Sequence, residues 1–393
     1  MKQFDVIIIG GGPMGLATAA ELSKTKDKQT LLIEKFSFIN QEGSSAGLSR
    51  QFRVQYAQKY MAQLALDAIP YWDALQETTN EVLVDKVGSV WFGDPALNSQ
   101  EGGIQAAKNT MDSLGIPYTP LTAAQIEEQY PFKNIPSNYD GFLQQDGGII
   151  DLKATQIALL DICKDAPNIE LRENSPVTYI QSLENGDIIV TANGERVSAK
   201  KLVLTPGAFI NDLLKYFDIS IDIDIWEMSS AYYKKTADIK LPTWFVFQEP
   251  TETSLFYGFP EVDWANPGYI RVAPDIPDRI IKDPAQRDPN PSKKSLQLNE
   301  DWVRNHMKGL RPKSEFTSTC LITLSTDSDK LLLLDTLPAF VNNNENIIVY
   351  TGGWAAKFVP LLGNILSDLA LTGTTSFDIS EFKINYLPLV KNV

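Results

Sequence analysis

Histidine is nearly missing from this chain. One, His306, occurs in 393 residues, and cysteine occurs only twice, as Cys163 and Cys320. A single histidine excludes a multi-histidine metal centre, and two cysteines cannot supply a zinc cluster or a disulfide framework. No metal is expected. A Ser-His-Asp triad is arithmetically possible, but no motif supports it. His306 falls in Trp302-Val303-Arg304-Asn305-His306-Met307, which reads as an amphipathic helix and gives it a structural place. Long apolar runs are absent too. Residues 6–9 are too few for a secretory signal, and no segment approaches the length of a membrane span. Positive charge is in deficit, with 35 Lys and Arg against 49 Asp and Glu and a net charge of −14. Such a field repels nucleic acid and anionic lipid, so neither is an expected partner. With neither a signal nor a span in view, a cytoplasmic location is expected. Internal repeats and low-complexity tracts are also lacking.

What the chain does have is a fingerprint in its first 34 residues. Phe4-Asp5-Val6-Ile7-Ile8-Ile9 is a β-branched apolar run, followed at once by Gly10-Gly11-Gly12-Pro13-Met14-Gly15. An alanine-rich helical stretch over 16–23 comes next, then a second apolar run, Thr30-Leu31-Leu32-Ile33, ending at Glu34. The pattern predicts strand, tight turn, helix and strand with an acid at its tip. Gly10 permits the turn, Gly12 lets a pyrophosphate approach the backbone, and Gly15 lets helix and strand pack closely. Glu34 can accept hydrogen bonds from a ribose. A lone Gly-x-Gly-x-x-Gly is weak, but in this context it predicts an adenine dinucleotide site.

The length suggests two domains or one large composite. Helices are expected over 55–75, 105–114 and 151–165, with Asp151 as a cap. Strands are expected over 177–183, 188–192 and 201–204, punctuated by Asn185-Gly186 and Asn193-Gly194. Residues 219–272 are strand-rich and aromatic, as an antiparallel sheet would be. The proline-rich, charged stretch 274–295 reads as loop. A strand over 346–350, a Gly352-Gly353 turn and a helix over 358–371 close the chain. Nucleotide-domain features thus sit at both ends and in the middle. That interleaving suits a flavoprotein better than a contiguous NAD domain. The expected fold is mixed α/β: a discontinuous FAD-binding, Rossmann-like domain from residues 1–84, 146–216 and 318–393, and a substrate domain on a mostly antiparallel sheet from 85–145 and 217–317.

Around the second cysteine the resemblance to a family becomes specific. Ser318-Thr319-Cys320-Leu321-Ile322-Thr323, with Thr326-Asp327 and the apolar run 331–335, resembles the monomeric sarcosine oxidase and N-methyltryptophan oxidase family of the D-amino-acid-oxidase fold group. Gly43-Ser44, Ser49-Arg50, Arg53, Trp91-Phe92-Gly93, Tyr257-Gly258-Phe259 and Lys357-Phe358 extend the likeness nearly end to end. Two departures stand out. That family usually places Gly-His-Gly before its last Phe-Lys-Phe, where this chain has Gly353-Trp354-Ala355-Ala356-Lys357-Phe358. It also carries a histidine near the position of Asp275. Both point toward the branch that oxidises cyclic imino acids such as piperideine-2-carboxylate, pipecolate or proline.

The resemblance implies FAD, held covalently through the Cys320 sulfur on the flavin 8α carbon; the alternative is a small buried core cysteine. Cys163 is expected in the core. Gly10, Gly12, Pro13, Met14, Gly15, Glu34 and Lys35 would take the ADP half, with Val177 at the adenine. Ser44, Ser49, Arg50, Gly207 and Gly353 would line the pyrophosphate and flavin. Arg53 would clamp a substrate carboxylate. Lys357 would face the flavin and assist electron transfer to O2, or else cap the helix that follows. Trp354 would stack on flavin or substrate, or else pack in the core; Tyr257, Asp275 and Glu101 would bind a ring nitrogen or move protons, the alternative for the acids being solvated loop positions. The partners implied are a small carboxylate-bearing amine and O2, with hydrogen peroxide as product and a monomer as the default state. Rivals are an N-methyl amino acid oxidase releasing formaldehyde, a quinone-linked dehydrogenase and a non-catalytic FAD-binding protein.

Overall fold

The computed structural model describes residues 1–97, 99, 102–248, 255–327 and 331–389. Its frame is two large sheets. The first has eight strands. Lys2–Ile9 runs parallel to Thr30–Ile33 on one side and to Glu195–Leu204 on the other, and Thr30–Ile33 continues in parallel to Ile169–Arg172. Parallel strands covered on both faces need apolar side chains throughout, which is why Ile7, Ile8, Leu31 and Leu32 have no exposure at all. Helices Pro13–Leu22, Leu152–Asp165 and Val359–Thr372 pack on this sheet. Asp151 caps the second of them by accepting from Ala154 N at 2.9 Å.

Glu195–Leu204 has two partners on one edge. Its first half completes an antiparallel meander with Val177–Ser182 and Ile188–Ala192, and its second half pairs in parallel with Ile347–Thr351. The Asn193-Gly194 turn expected from sequence joins the last two strands of the meander, and both residues have positive φ.

The second sheet has nine strands in the order Arg279–Ile281, Ile223–Lys234, Tyr269–Pro274, Leu255–Phe259, Thr243–Phe247, Ser89–Gly93, Asp140–Gln144 and Thr119–Thr122. Phe316–Ser325 pairs over ten residues with Ile223–Lys234. All neighbours are antiparallel except Thr243–Phe247 beside Ser89–Gly93. The boundary drawn at 318 from sequence therefore cuts through a strand: Cys320 stands on the nine-stranded sheet, opposite Met228. The helix Lys59–Gln76 starts four residues later than expected, and Pro70 lies inside it. The stretch read as loop, 274–295, contains the strand Arg279–Ile281, and Ser292 caps the helix Lys293–His306. Among the described residues no helix is long and apolar enough to cross a membrane.

Candidate active site

The first strand ends in a turn that shows what the fingerprint requires. Gly10 has φ +111°, and a Cβ there would lie 2.4 Å from the Thr205 carbonyl oxygen. A Cβ on Gly15 would lie 1.9 Å from the Gly10 oxygen, so helix and turn meet at a distance only glycine permits. Gly12 faces open space: a Cβ there would meet nothing within 4 Å. The helix behind it begins at Pro13 with no side-chain cap, so its first-turn N–H groups are left for an anion. Glu34 is 6% exposed and accepts from Gly11 N at 2.7 Å and Phe36 N at 2.8 Å. Burial raises its pKa against the pull of those donors.

From this turn a single cavity of about 460 Å³ runs between the two sheets. That size is in the range of small-molecule sites. Gly10, Gly12, Pro13, Met14, Glu34, Lys35 and Val177 line one end. Ser44, Arg50 and Gly207 follow, and Cys320, Gly353, Trp354, Lys357, Arg53, Tyr257 and Asp275 line the rest. Seventeen of the residues singled out in the sequence thus share one wall system, although they come from all parts of the chain. Gly15 and Ser49 stand behind the lining: Gly15 under the turn, Ser49 as an acceptor for Arg271 through its carbonyl at 2.9 Å and hydroxyl at 3.1 Å. Glu101 lies outside the described residues.

The middle of the cavity suits a long phosphorylated cofactor. The Ser44 hydroxyl is buried without a hydrogen-bond partner, and so is the Tyr350 hydroxyl, which also lines the cavity. Buried polar groups need partners, and the oxygens of a bound FAD would supply them. Arg50 shapes the neighbouring loop by donating to the carbonyls of Ser49 (2.8 Å), Ser44 (2.6 Å) and Ala46 (2.7 Å). Burial pulls the Arg50 pKa down, and the nearby Cys320 works in the opposite sense. The residues present therefore fit FAD. Cys163, by contrast, is buried against the Leu16 carbonyl, and burial pushes its thiol up to about 12.

The far end is an aromatic box with buried cations. The Arg53 guanidinium, 3% exposed, lies 4.8 Å from the Tyr56 ring centre, 5.0 Å from Trp91 and 6.0 Å from Phe245. Lys357 Nζ sits 5.3 Å from the same Tyr56 ring. Its backbone is fixed by Trp72, whose indole N–H donates to the Lys357 carbonyl at 2.7 Å. Tyr257 stacks on Phe245 at 6.0 Å and 11°, and burial drives its phenol pKa upward. Trp354 has φ +54°, a region bulky residues rarely adopt, and its ring meets Trp226 edge-on at 6.4 Å.

Arg271 was not singled out in the sequence. It is 6% exposed, lines the cavity and lies 4.7 Å from the Phe259 ring. The signal was an arginine inside an otherwise apolar strand, Tyr269–Pro274, four residues before Asp275. Tyr350 was missed because it ends a buried apolar strand where a tyrosine reads as core.

Residues 5–369 match the family model for FAD dependent oxidoreductases, DAO. The solved open form of NikD, described as an unusual amino acid oxidase essential for nikkomycin biosynthesis, has 34% identity and a TM-score of 0.92 over 99% of both chains. A protein of Dictyostelium discoideum named for a bifunctional amine oxidase is 35% identical over 98% of this chain, which spans only 37% of that relative's length. Monomeric sarcosine oxidase of Arthrobacter sp. is 27% identical over 98% of this chain and 96% of its own. The chain belongs to the FAD-dependent oxidoreductase family and is one of its amine and amino acid oxidases.

Proposed function

We propose that this enzyme oxidises the C–N bond of a small cyclic amino or imino acid, such as piperideine-2-carboxylate, pipecolate or proline, with O2 as acceptor. The observation that carries this reading is the pair of buried cations, Arg53 and Lys357, sharing the Tyr56 ring inside an aromatic box. Such a box suits a flat anion better than a flexible N-methyl chain. FAD, when bound, accepts two electrons from the substrate and returns them to O2 as hydrogen peroxide. The chain supplies the rest. Arg53 holds the substrate carboxylate in its planar fork, and Lys357 adds a second donor. Trp354 stacks on the substrate ring. Tyr257, with its raised pKa, keeps its proton and donates a hydrogen bond, while Asp275 faces the ring nitrogen. Lys357 and Arg271 place fixed positive charge where superoxide develops, which lowers that barrier.

Cys320 ties the flavin covalently, in this reading. Its support is position: a half-buried thiol on the cavity wall beside Arg50. Cys163 and Cys320 form no disulfide with each other, which suits a reducing compartment, so we place the enzyme in the cytoplasm. The likeness to a monomeric sarcosine oxidase supports a monomer.

The test is anaerobic mixing with proline, pipecolate, piperideine-2-carboxylate, sarcosine and N-methyltryptophan, followed by flavin absorbance. Fast bleaching by the cyclic acids is expected. Faster bleaching by the N-methyl compounds would overturn the cyclic reading in favour of a sarcosine-type oxidase.

A further inference from the structure

The stretch from Asp278 to Ser292, proline-rich and loop-like in sequence, has no part in the chemistry above. It is nonetheless pinned at several points to the strand pair that carries Cys320. Asp278 N donates to the Glu227 carbonyl at 2.8 Å, and Arg279–Ile281 pairs with residues 225–227. The Glu227 carboxylate has no exposure; it accepts from Arg279 and, at 3.2 Å, from Asp288 N. Ser292 N closes the far end on the Asp278 carboxylate at 2.6 Å. Between these pins lies Arg287. One of its nitrogens donates to the Thr319 carbonyl at 3.0 Å and hydroxyl at 3.3 Å, and the other donates to the Gln41 carbonyl. The Thr319 hydroxyl donates in turn to the Asp288 carbonyl at 3.3 Å.

The two ends of that fork lie on different walls of the cavity. Thr319 immediately precedes Cys320 on the nine-stranded sheet. Gln41 belongs to the loop that carries Gly43 and Ser44, and its own side chain accepts from Gly47 N at 2.7 Å. Neither sheet's strand pairing sets the spacing between that loop and the cysteine strand. A planar guanidinium can hold two carbonyls at once, which a lysine cannot do with the same geometry.

We propose that Arg287 is a positioning residue for the bond between Cys320 and the flavin, fixing the cysteine strand against the cofactor loop. This rests on the covalent reading of Cys320. Bond formation breaks the S–H bond and one C–H bond of the flavin 8α-methyl, joins sulfur to carbon, and passes the two protons and two electrons so released to O2, which leaves as hydrogen peroxide. A misplacement of about 1 Å can slow such a step about 100-fold.

The experiment uses the full chain purified soon after induction and incubated in air with saturating FAD. Acid-stable flavin in the protein pellet is followed over time, beside total bound flavin and Tm. Wild type is expected to become fully acid-stable. Arg287→Met should attach flavin at least about 10-fold more slowly at equal occupancy, and Arg287→Lys should fall between. Thr319→Val, which keeps the backbone acceptor, should slow attachment less; it also serves if Arg287→Met does not fold. Attachment at the wild-type rate in Arg287→Met, or in both Arg287→Lys and Thr319→Val, overturns the proposal alone. So does slowing that vanishes once occupancy is matched. Release of flavin by acid from wild type overturns the covalent reading and the proposal with it.

Discussion

Two side chains illustrate how burial turns ordinary residues into instruments. Lys357 is 5% exposed, yet it keeps its place because an indole N–H holds its carbonyl and an aromatic ring faces its ammonium. If its charge serves the oxygen half of the reaction, Lys357→Met slows flavin reoxidation by about 100-fold and slows reduction by saturating substrate far less. Stopped-flow measurement of both half-reactions checks this, and equal effects would argue for a purely substrate-binding lysine. Glu34 carries a different cost. Its carboxyl sits above the ordinary value of 4.5 in the folded chain because burial disfavours the charge. The folded state then holds the proton to higher pH than the unfolded state, so stability is fullest in acid and falls as pH rises through the window just above 4.5. Glu34→Gln removes that slope in the cofactor-free protein. The Tm difference between wild type and variant should therefore move against wild type from about pH 4 to about pH 7. A difference that stays constant contradicts the assignment.

At the scale of elements, the opening strand, turn and helix were legible because their determinants are local. β-branched runs, glycines and an acid at fixed spacing specify them without help from the rest of the chain. Gly15→Ala tests that logic. Its Cβ has no room against the Gly10 carbonyl, so the turn must open, at about 1–3 kcal/mol. Loss of bound flavin and a lower Tm are expected; full flavin content at unchanged Tm would refute it. The stretch 274–295 was illegible for the opposite reason. Its prolines and aspartates read as turns, but its partners are Glu227, Thr319 and Gln41, remote in sequence. Arg271 and Tyr350 escaped notice similarly. They sit on strands buried on both faces, where alternation carries no information about which side chain meets a cavity. The family likeness around Cys320 carried what local pattern could not.

The whole molecule sets a negative surface against a positive interior. A net charge of −14 surrounds a cavity lined by Arg50, Arg53, Arg271 and Lys357. An anionic substrate is thus repelled at long range and attracted only near the site. Raising ionic strength from about 10 to about 150 mM should raise kcat/KM for a carboxylate substrate by about threefold, by screening the repulsion. The corresponding neutral amide should show no such rise, and a fall for the carboxylate would mean that the cavity's own field dominates the approach.

The cavity's two walls belong to two different sheets, and the sequence supplies them in alternation. A thioether at Cys320 would give one wall permanent possession of a group that the other wall grips by hydrogen bonds. Re-forming the gap after a local opening then becomes an intramolecular event, governed by an effective concentration and not by the FAD in solution. Tm of the wild type should accordingly ignore added FAD, while that of Cys320→Ser should climb with it. Heritable sequence would in this way have enrolled a vitamin derivative as a tether between two halves of one chain.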